Sequence, residues 1–325
     1  MPHGWAVVAV AGCLLAAACA GADDASGAEA TSTAAADPDR ATIAMITHEA
    51  AGDSFWALIR RGAQVAADKD DVELQYFADI RGPDQAELVS AAVARGVDGI
   101  AVTLARPDQL ADAVGAAVAA GVPVVAFNSG IDDWRGQGAI GYFGQDELLA
   151  GRAVGARLAG EGARRAICVI QDQGHVALES RCAGVRDGFV GGVVENVNVT
   201  GTDMPSVRAA IAARLRTDPQ IDRVVTLGAQ FALTAVDAVR DAGSAAAVVT
   251  FDTNADLVEA IKSGDVRWAV DQQPYLQGYL AVDALWLYRD NASVIGGGQP
   301  TLTGPSFVDA SNVDTIAEYA EAGTR

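Results

Sequence analysis

Short β-branched runs alternate with Ala-rich stretches along most of this chain, and that rhythm constrains its fold more than any other feature. The run TIAMIT is followed by SFWALIRRGAQVAADK, and DGIAVTL by PDQLADAVGAAVAAG. Strand-like runs that alternate with helix-length segments are typical of βαβ units and a parallel sheet. Because the apolar runs are continuous, each predicted strand should be covered on both faces.

The same order of apolar runs recurs at one constant spacing. Three pairs of equivalent positions are each separated by 124 residues, namely Ile43 and Ile167, Asp98 and Asp222, and Val124 and Val248. One spacing that holds through three strands without a gap predicts two similar α/β lobes. Asn128 and Asp252 then follow equivalent strands. Open α/β sheets bind ligands at the carboxyl ends of their strands, so we expect a cleft between the lobes.

Length and charge narrow the classes of function. With 325 residues, of which 50% are hydrophobic, the chain has material for about two ordinary domains. Its formal net charge of −19 and pI near 4.4 repel phosphate backbones. Nucleic acid is therefore not an expected partner.

The N-terminus predicts export. An apolar run from Trp5 to Ala18 has the length of a secretory h-region and is too short to span a bilayer. It ends in LAAAC, which resembles a lipobox, so we predict a lipoprotein signal peptide over residues 1–18 and a lipid anchor on Cys19. VAGC at Val10 to Cys13 fits the consensus better but leaves too short an h-region, and plain secretion is the alternative. Residues 19–40 lack large apolar side chains and predict a flexible tether.

Two cysteines follow the leader, Cys168 and Cys182. In an exported protein such a pair is expected to form a disulfide. Here the bond would join a strand to a helix across about 14 residues. The alternative is a reactive thiol pair or a metal site, but no nearby His–Cys spacing is typical of zinc. We therefore expect no metal and no cofactor.

Six motifs in fixed order resemble a known family. They are GDSFW, VPVVAFNSG, RCAGVRDGF, TLGAQFALTAVDAV, VVTFDTN and VDQQPYLQGY. Together they resemble the periplasmic sugar-binding proteins of the ribose- and galactose-binding type, which serve bacterial ABC importers. The likeness covers roughly residues 41–320.

The resemblance implies the type I periplasmic binding protein fold. This is an α/β architecture of two similar doubly wound parallel-sheet lobes that a three-segment hinge joins. The N-terminal lobe would comprise residues 41–143 plus 274–302, and the C-terminal lobe residues 144–273 plus 303–325. Hinge segments would lie near Phe143–Gln145, Gln272–Pro274 and Thr303–Pro305, where glycine and proline suit defined bends. A monomer is expected.

The resemblance also implies a set of ligand contacts. Sugars and polyols need planar polar groups for their hydroxyls and aromatic faces for their C–H patches. Family positions map onto Asp53, Phe55, Trp56, Asn128, Asp252 and Gln272. Four further candidates stand at or near positions where this chain departs from the ribose-type pattern: Ser129, Glu179, Arg181 and Gln230. These departures disfavour ribose and favour another pentose, a hexose, a polyol or a cyclitol.

Structural roles compete with some of these assignments. Phe55 and Trp56 fit a helix core as well, and Asp252 fits a helix N-cap. Three residues, His48, Glu49 and His175, fall on loops that we expect at the rim of the cleft, where they are more often solvated than in contact with ligand.

Other classes of function fit less well. VVTFDTN resembles the nucleophile motif of haloacid-dehalogenase phosphatases, but Asn254 stands where their second Asp is required. No other catalytic motif that we sought is present, so we predict a binding protein and not an enzyme. A repressor of the lac type would need a basic helix-turn-helix before this body. We expect delivery of the ligand to ABC transporter permease subunits at the outer face of the cell membrane; the alternative is a receptor lipoprotein that presents its closed form to a signalling partner.

Overall fold

The computed structural model describes residues 40–325. The predicted signal peptide, Cys19 and all of the predicted tether except Arg40 lie outside this range. None of the helices in residues 40–325 has the length and apolar character needed to cross a membrane.

Two parallel sheets form the framework, and both have the same order of their first five strands. The first sheet has the order β11-β5-β4-β3-β1-β2 and consists of β1 (Thr42–Thr47), β2 (Glu73–Ala78), β3 (Gly99–Val102), β4 (Val124–Phe127), β5 (Gly141–Gly144) and β11 (Thr301–Leu302). The second has the order β12-β10-β9-β8-β6-β7 and consists of β6 (Arg165–Ile170), β7 (Val193–Asn198), β8 (Arg223–Thr226), β9 (Ala247–Phe251), β10 (Val266–Asp271) and β12 (Ser306–Asp309). Among the described strands only β12 runs antiparallel to its neighbour.

Helices connect and cover these strands. They are α1 (Ser54–Lys69), α2 (Gly82–Ala94), α3 (Pro107–Ala119), α4 (Glu147–Gly160), α5 (Val176–Gly188), α6 (Met204–Thr217), α7 (Ala229–Ala242), α8 (Ala255–Ser263), α9 (Pro274–Asn291) and α10 (Asp314–Glu321), with a 3₁₀ turn at Ile295–Gly298. Each sheet with its helices forms one lobe. The paired α/β lobes that the 124-residue spacing predicts are therefore confirmed.

Both faces of each sheet are buried, as the continuous apolar runs predict. On β1, Ile43 and Met45 belong to one apolar cluster, whereas Ala44 and Ile46 belong to another. Successive side chains of a strand point to opposite faces, so one uninterrupted run supplies two cores. The strand β6 divides in the same way between two further clusters.

The chain passes between the lobes three times. It leaves the first sheet after β5, returns between β10 and α9, and leaves again between β11 and β12. At the second passage β10 ends at Asp271 and α9 begins at Pro274, because proline has no N–H to continue a ladder but fits the first helical position. Gln273 before it has a left-handed backbone with φ of 57°.

The predicted disulfide is present between Cys168 and Cys182, whose Cα atoms are 5.9 Å apart. Cys168 lies on β6 and Cys182 on α5, and both are fully buried. The bond therefore fixes α5 against the second sheet.

Candidate ligand-binding cleft

A cavity of about 790 Å³ lies between the carboxyl ends of the two sheets. Its lining comes from loops of both lobes and from the passage between them at Gln272. Nine of the ten residues that the sequence predicts as ligand contacts line it: Asp53, Phe55, Trp56, Asn128, Ser129, Arg181, Gln230, Asp252 and Gln272. This is the position at which open α/β sheets bind ligands.

Asn128 and Asp252 occupy matching positions in the two lobes. Each follows the fourth strand of its sheet, and each donates its backbone N–H to the neighbouring strand, to Phe143 at 2.9 Å and to Val270 at 2.7 Å. Both have left-handed backbones, with φ of 64° and 66°. Non-glycine residues in this conformation are uncommon and concentrate at functional sites. Both side chains are largely buried.

Gln272 links these two residues across the passage between the lobes. Its Nε2 donates to Asp252 Oδ1 at 2.6 Å, and its Oε1 accepts from Asn128 Nδ2 at 3.4 Å. Gln277, on the first turns of α9, extends the network by accepting from Asn128 Nδ2 at 3.2 Å and donating to Gln272 Oε1 at 2.9 Å. Sequence reasoning missed Gln277, although VDQQPYLQGY contains it.

Arg181 provides the cationic group of the cavity. Its Nε and Nη2 donate to the two carboxylate oxygens of Glu147 at 2.6 and 2.9 Å, and its Nη1 donates to the Leu227 carbonyl at 3.0 Å. Asp252 Oδ2 lies 3.7 Å from Nη1. Arg181 is 4% exposed and Glu147 3% exposed, so the pair is removed from water. A bidentate fork holds the guanidinium in one orientation.

Glu147 was not among the predicted site residues. It opens α4, immediately after the first passage between the lobes, and it also accepts from Gln145 Nε2 at 2.8 Å. Glycines bring its helix against α5. A Cβ on Gly151 would lie 2.3 Å from the Arg181 carbonyl, and one on Gly184 would lie 2.3 Å from the Leu148 carbonyl. Only glycine permits so close an approach of the two backbones.

Burial removes the Asp252 and Asp53 carboxylates of the cavity from much of their solvation. Burial raises the pKa of Asp252 to about 7, with smaller raising contributions from Glu147 and Asp53, while Arg181 and Gln272 act in the opposite direction. Burial also raises the pKa of Asp53, against the stabilising N–H of Phe55. Asp53 is the N-cap of α1, which explains that hydrogen bond of 3.0 Å.

Phe55 and Trp56 pack against the apolar core of the first lobe and also line the cavity, so both roles that the sequence left open are filled. Phe55 and Trp56 meet edge to face with centroids 5.3 Å apart, and both line the cavity. Trp56 also belongs to the apolar core of the first lobe and is only 4% exposed. One ring can therefore anchor α1 and present an edge or face to a ligand.

Ser129, Gln230 and Glu179 are placed differently from one another. Ser129 donates to Asn128 Oδ1 at 3.0 Å, so it orients the amide, and Gln230 lies in the first turn of α7. Glu179 does not line the cavity. Its carboxylate instead accepts from the Gly174 N–H at 3.3 Å. Ala177, Leu178 and Arg181 line the cavity, and on a helix residues three or four positions apart share one side. Glu179 is two positions from Arg181 and therefore lies on a different side of α5.

The histidines depart from their expected solvated positions. His175 is 4% exposed and is the N-cap of α5, and its Nε2 lies 2.8 Å from Nε2 of His48 in the other lobe. Both line the cavity, whereas Glu49 instead accepts from the Tyr76 hydroxyl at 2.7 Å. The expectation that the His175 side chain is solvated was therefore wrong.

This arrangement offers acceptors at Asp53 and Asp252, donors at Arg181, amides that do both, and an aromatic surface. Adjacent hydroxyls both donate and accept, so such a set suits a polyhydroxylated ligand. Within residues 40–325, no group of three or more His, Cys, Asp or Glu side chains is arranged to hold a metal ion.

Comparison with known proteins agrees with this geometry. Residues 43–292 match the model of the periplasmic binding protein domain. A solved carbohydrate transporter from Acidothermus cellulolyticus 11B, in complex with myo-inositol, is 54% identical, with a TM-score of 0.87, covering 88% of this chain and all of that one. A periplasmic sugar-binding protein of an ABC sugar transporter from Legionella pneumophila is 25% identical, with a TM-score of 0.74, over 82% of this chain and all of the other.

A curated relative gives the same assignment. The xylose/arabinose-binding protein of Sulfolobus acidocaldarius is 26% identical over 242 residues, which are 69% of this chain and 60% of that protein. This chain thus spans about three fifths of the relative that it matches. The relatives are binding proteins and not enzymes, as the sequence predicts for this chain. With the domain match over residues 43–292 and the 54% identity to a carbohydrate transporter of the same fold, the chain belongs to the periplasmic sugar-binding proteins.

Proposed function

We propose that this protein captures a cyclitol of the myo-inositol type in the cleft between its lobes and delivers it to an ABC transporter permease. The observation that carries the proposal is the convergence of buried polar groups from both lobes, Asn128 from one and Arg181 and Asp252 from the other, on one cavity.

The hydrogen-bonding groups match a ring that bears a hydroxyl on every carbon. Asp252 Oδ2 lies 3.7 Å from Arg181 Nη1, which has a second N–H besides the one that it donates to Leu227, and this pairing suits two adjacent hydroxyls. Hydrogen bonds to charged groups contribute about 1.5–3 kcal/mol each, and an unmatched buried partner costs a comparable amount. A ligand that lacks one hydroxyl should therefore bind much more weakly.

Two features favour a cyclitol over ribose. The relative that is 54% identical was solved with myo-inositol. In addition, Ser129 stands where the ribose-type pattern has arginine, and it serves to orient Asn128 and not to supply a charge. The first feature supports a six-membered carbocyclic ligand, and the second disfavours ribose.

Delivery follows from a change of shape. A ligand that contacts both lobes shifts the population towards the closed conformation, and a partner can read that shape. Proteins of this family are extracytoplasmic. Anchoring through Cys19 would keep the protein at the membrane beside its permease.

Isothermal titration calorimetry with myo-inositol, D-xylose, D-ribose and D-glucose at pH 7.5 tests the ligand class. We expect myo-inositol to bind most tightly. Asp252→Ala and Trp56→Ala should each abolish measurable binding while thermal unfolding stays cooperative. Asp241→Ala is the control, because Asp241 pairs with Arg208 on the surface of the same lobe. Binding within a few-fold of wild type in both cleft variants would refute the site.

Uptake of labelled myo-inositol by a strain that lacks the gene tests delivery. Loss of uptake, restored by the wild-type gene and not by Asp252→Ala, is the expected result. Unchanged uptake would point to the alternative, a receptor that signals its closed form.

A further inference from the structure

Two histidines from opposite lobes meet across the cleft. His48 follows β1 of the first lobe, and His175 precedes α5 of the second. Their Nε2 atoms are 2.8 Å apart, with ring centroids 4.5 Å apart. Beside them, the Val176 N–H donates to the Ala105 carbonyl at 3.1 Å, and Arg106 pairs with Asp172 at 2.6 Å. The lobes are thus in direct contact here.

The hydrogen positions on both rings follow from their other partners. His175 Nδ1 accepts from the Ala177 N–H at 3.2 Å, so the hydrogen of a neutral His175 ring lies on Nε2 and donates to His48. His48 Nε2 must then accept, which puts its own hydrogen on Nδ1. That atom lies 2.7 Å from the buried Thr103 hydroxyl oxygen, to which the His48 backbone N–H and Gln85 Nε2 also donate at 3.2 and 3.1 Å. Each of the four ring nitrogens has one role.

We infer that His48 and His175 are positioning residues for ligand capture, and that their contact between the lobes buries both imidazoles in the neutral form. An added proton on His175 Nδ1 would face the Ala177 N–H, and one on His48 Nε2 would face the His175 donor. A proton on His48 turns the acceptor of the bond between the lobes into a donor, whereas a proton on His175 costs the hydrogen bond that caps α5 within the second lobe. The inference rests on the proposed function, because closure is what captures the ligand.

The surrounding charges agree with neutral rings. Burial, with smaller contributions from the positive Arg106 and Arg181, lowers the pKa of His48 to about 3. Burial lowers the pKa of His175 well below its usual range, with contributions from His48, Arg181 and Arg106.

Carboxylates on the adjoining loops and helix have other partners. Asp172 pairs with Arg106, Glu49 pairs with Arg60, and Glu179 accepts from the Gly174 N–H. Asp53 caps α1. None of these four is therefore bonded to an imidazole.

The consequence is a loss of affinity at acidic pH. When the lobes separate, both rings meet water, and we expect each to regain a pKa near its ordinary value of about 6.5. A histidine whose pKa is lowered by closure favours closure above its open-form pKa and opposes closure below it. Between pH 7.5 and 5.5, each histidine should raise the dissociation constant about 10-fold, and both together about 100-fold.

The test is calorimetric titration of myo-inositol at pH 7.5, 6.5 and 5.5 into wild type, His175→Asn, His48→Gln and the double variant. Asparagine at 175 can still cap α5, and glutamine at 48 can still donate to Thr103. Wild-type affinity should fall about 100-fold over this range, and each single variant should lose one factor of about 10. Residual pH dependence in the double variant reports Asp252, which all four proteins share. Equal pH profiles in wild type and double variant would overturn the inference.

Small-angle X-ray scattering without ligand gives a readout that does not depend on the proposed ligand. The wild-type radius of gyration should be smaller at pH 7.5 than at pH 5.5, and the double variant should show no such change. If myo-inositol does not bind at pH 7.5, the proposed ligand is wrong, and scattering still decides the role of the histidines. A wild-type radius of gyration that is independent of pH would then overturn the inference about His48 and His175. Circular dichroism at each pH checks that every variant is folded.

Discussion

Replacing Glu147 by glutamine isolates the charge that holds Arg181 in place. The substitution keeps the shape of the side chain and one acceptor oxygen, but it removes the carboxylate that accepts from Nε and Nη2. Removing one partner of a buried ion pair costs about 3–5 kcal/mol, because the other charge is left uncompensated. Here the remaining oxygen and Asp252, 3.7 Å from Arg181 Nη1, limit the loss. We therefore expect a decrease of about 3 kcal/mol in the free energy of unfolding.

The chain contains a matched control on its surface. Glu195 and Arg214 form the same bidentate fork, at 2.8 and 2.6 Å, but the Glu195 side chain is 44% exposed. Exposed pairs contribute about 0.2–1 kcal/mol, so Glu195→Gln should cost less than about 1 kcal/mol. Urea unfolding at pH 7.5, with the free energy taken from midpoint and slope, measures both variants. Equal losses, or a loss below about 1 kcal/mol for Glu147→Gln, would refute the argument from burial.

Three further predictions concern the same lobe. Asp252→Asn should melt at a higher temperature than wild type at pH 8, because the buried carboxylate is charged above its pKa of about 7; the gain should shrink as pH falls towards 4, and a constant difference in differential scanning fluorimetry would contradict it. Replacing Cys168 and Cys182 by alanine should lower the free energy of urea unfolding by about 3 kcal/mol for a loop of 14 residues, and an unchanged midpoint would exclude this role. Gly184→Ala should weaken both stability and ligand affinity by forcing α5 from α4, whereas Gly115→Ala, where a Cβ meets nothing within 4 Å, should be neutral or stabilising; equal melting temperatures for the two variants would show that the helices can separate without cost.

The fold could be predicted from the sequence because the apolar runs that indicate its strands are local and recur in the second half of the chain. Strand-length apolar runs with one spacing of 124 residues are enough to predict two lobes, and that equivalence predicts matching positions for Asn128 and Asp252. The cleft and most of its lining followed from the same pattern, since strand ends determine where ligands bind.

The remaining features of the site depend on tertiary contacts. Glu147 reads as an ordinary acidic residue in the first turn of a helix, and only the packing of α4 on α5 brings it to Arg181, 34 positions away. His48 and His175 are separated by 127 positions, and nothing local relates them. Glu179 lies outside the cavity lining, because the motif gives its neighbourhood in sequence but not the side of α5 that faces the cleft.

A crystal structure of the protein with myo-inositol at pH 7.5 tests the account most directly. It should place the ring between Trp56 and the second lobe, with hydroxyls within about 3 Å of Asp252, Arg181 and Asn128. A ring that contacts one lobe only, or that binds away from these three side chains, would contradict capture between matching strand ends.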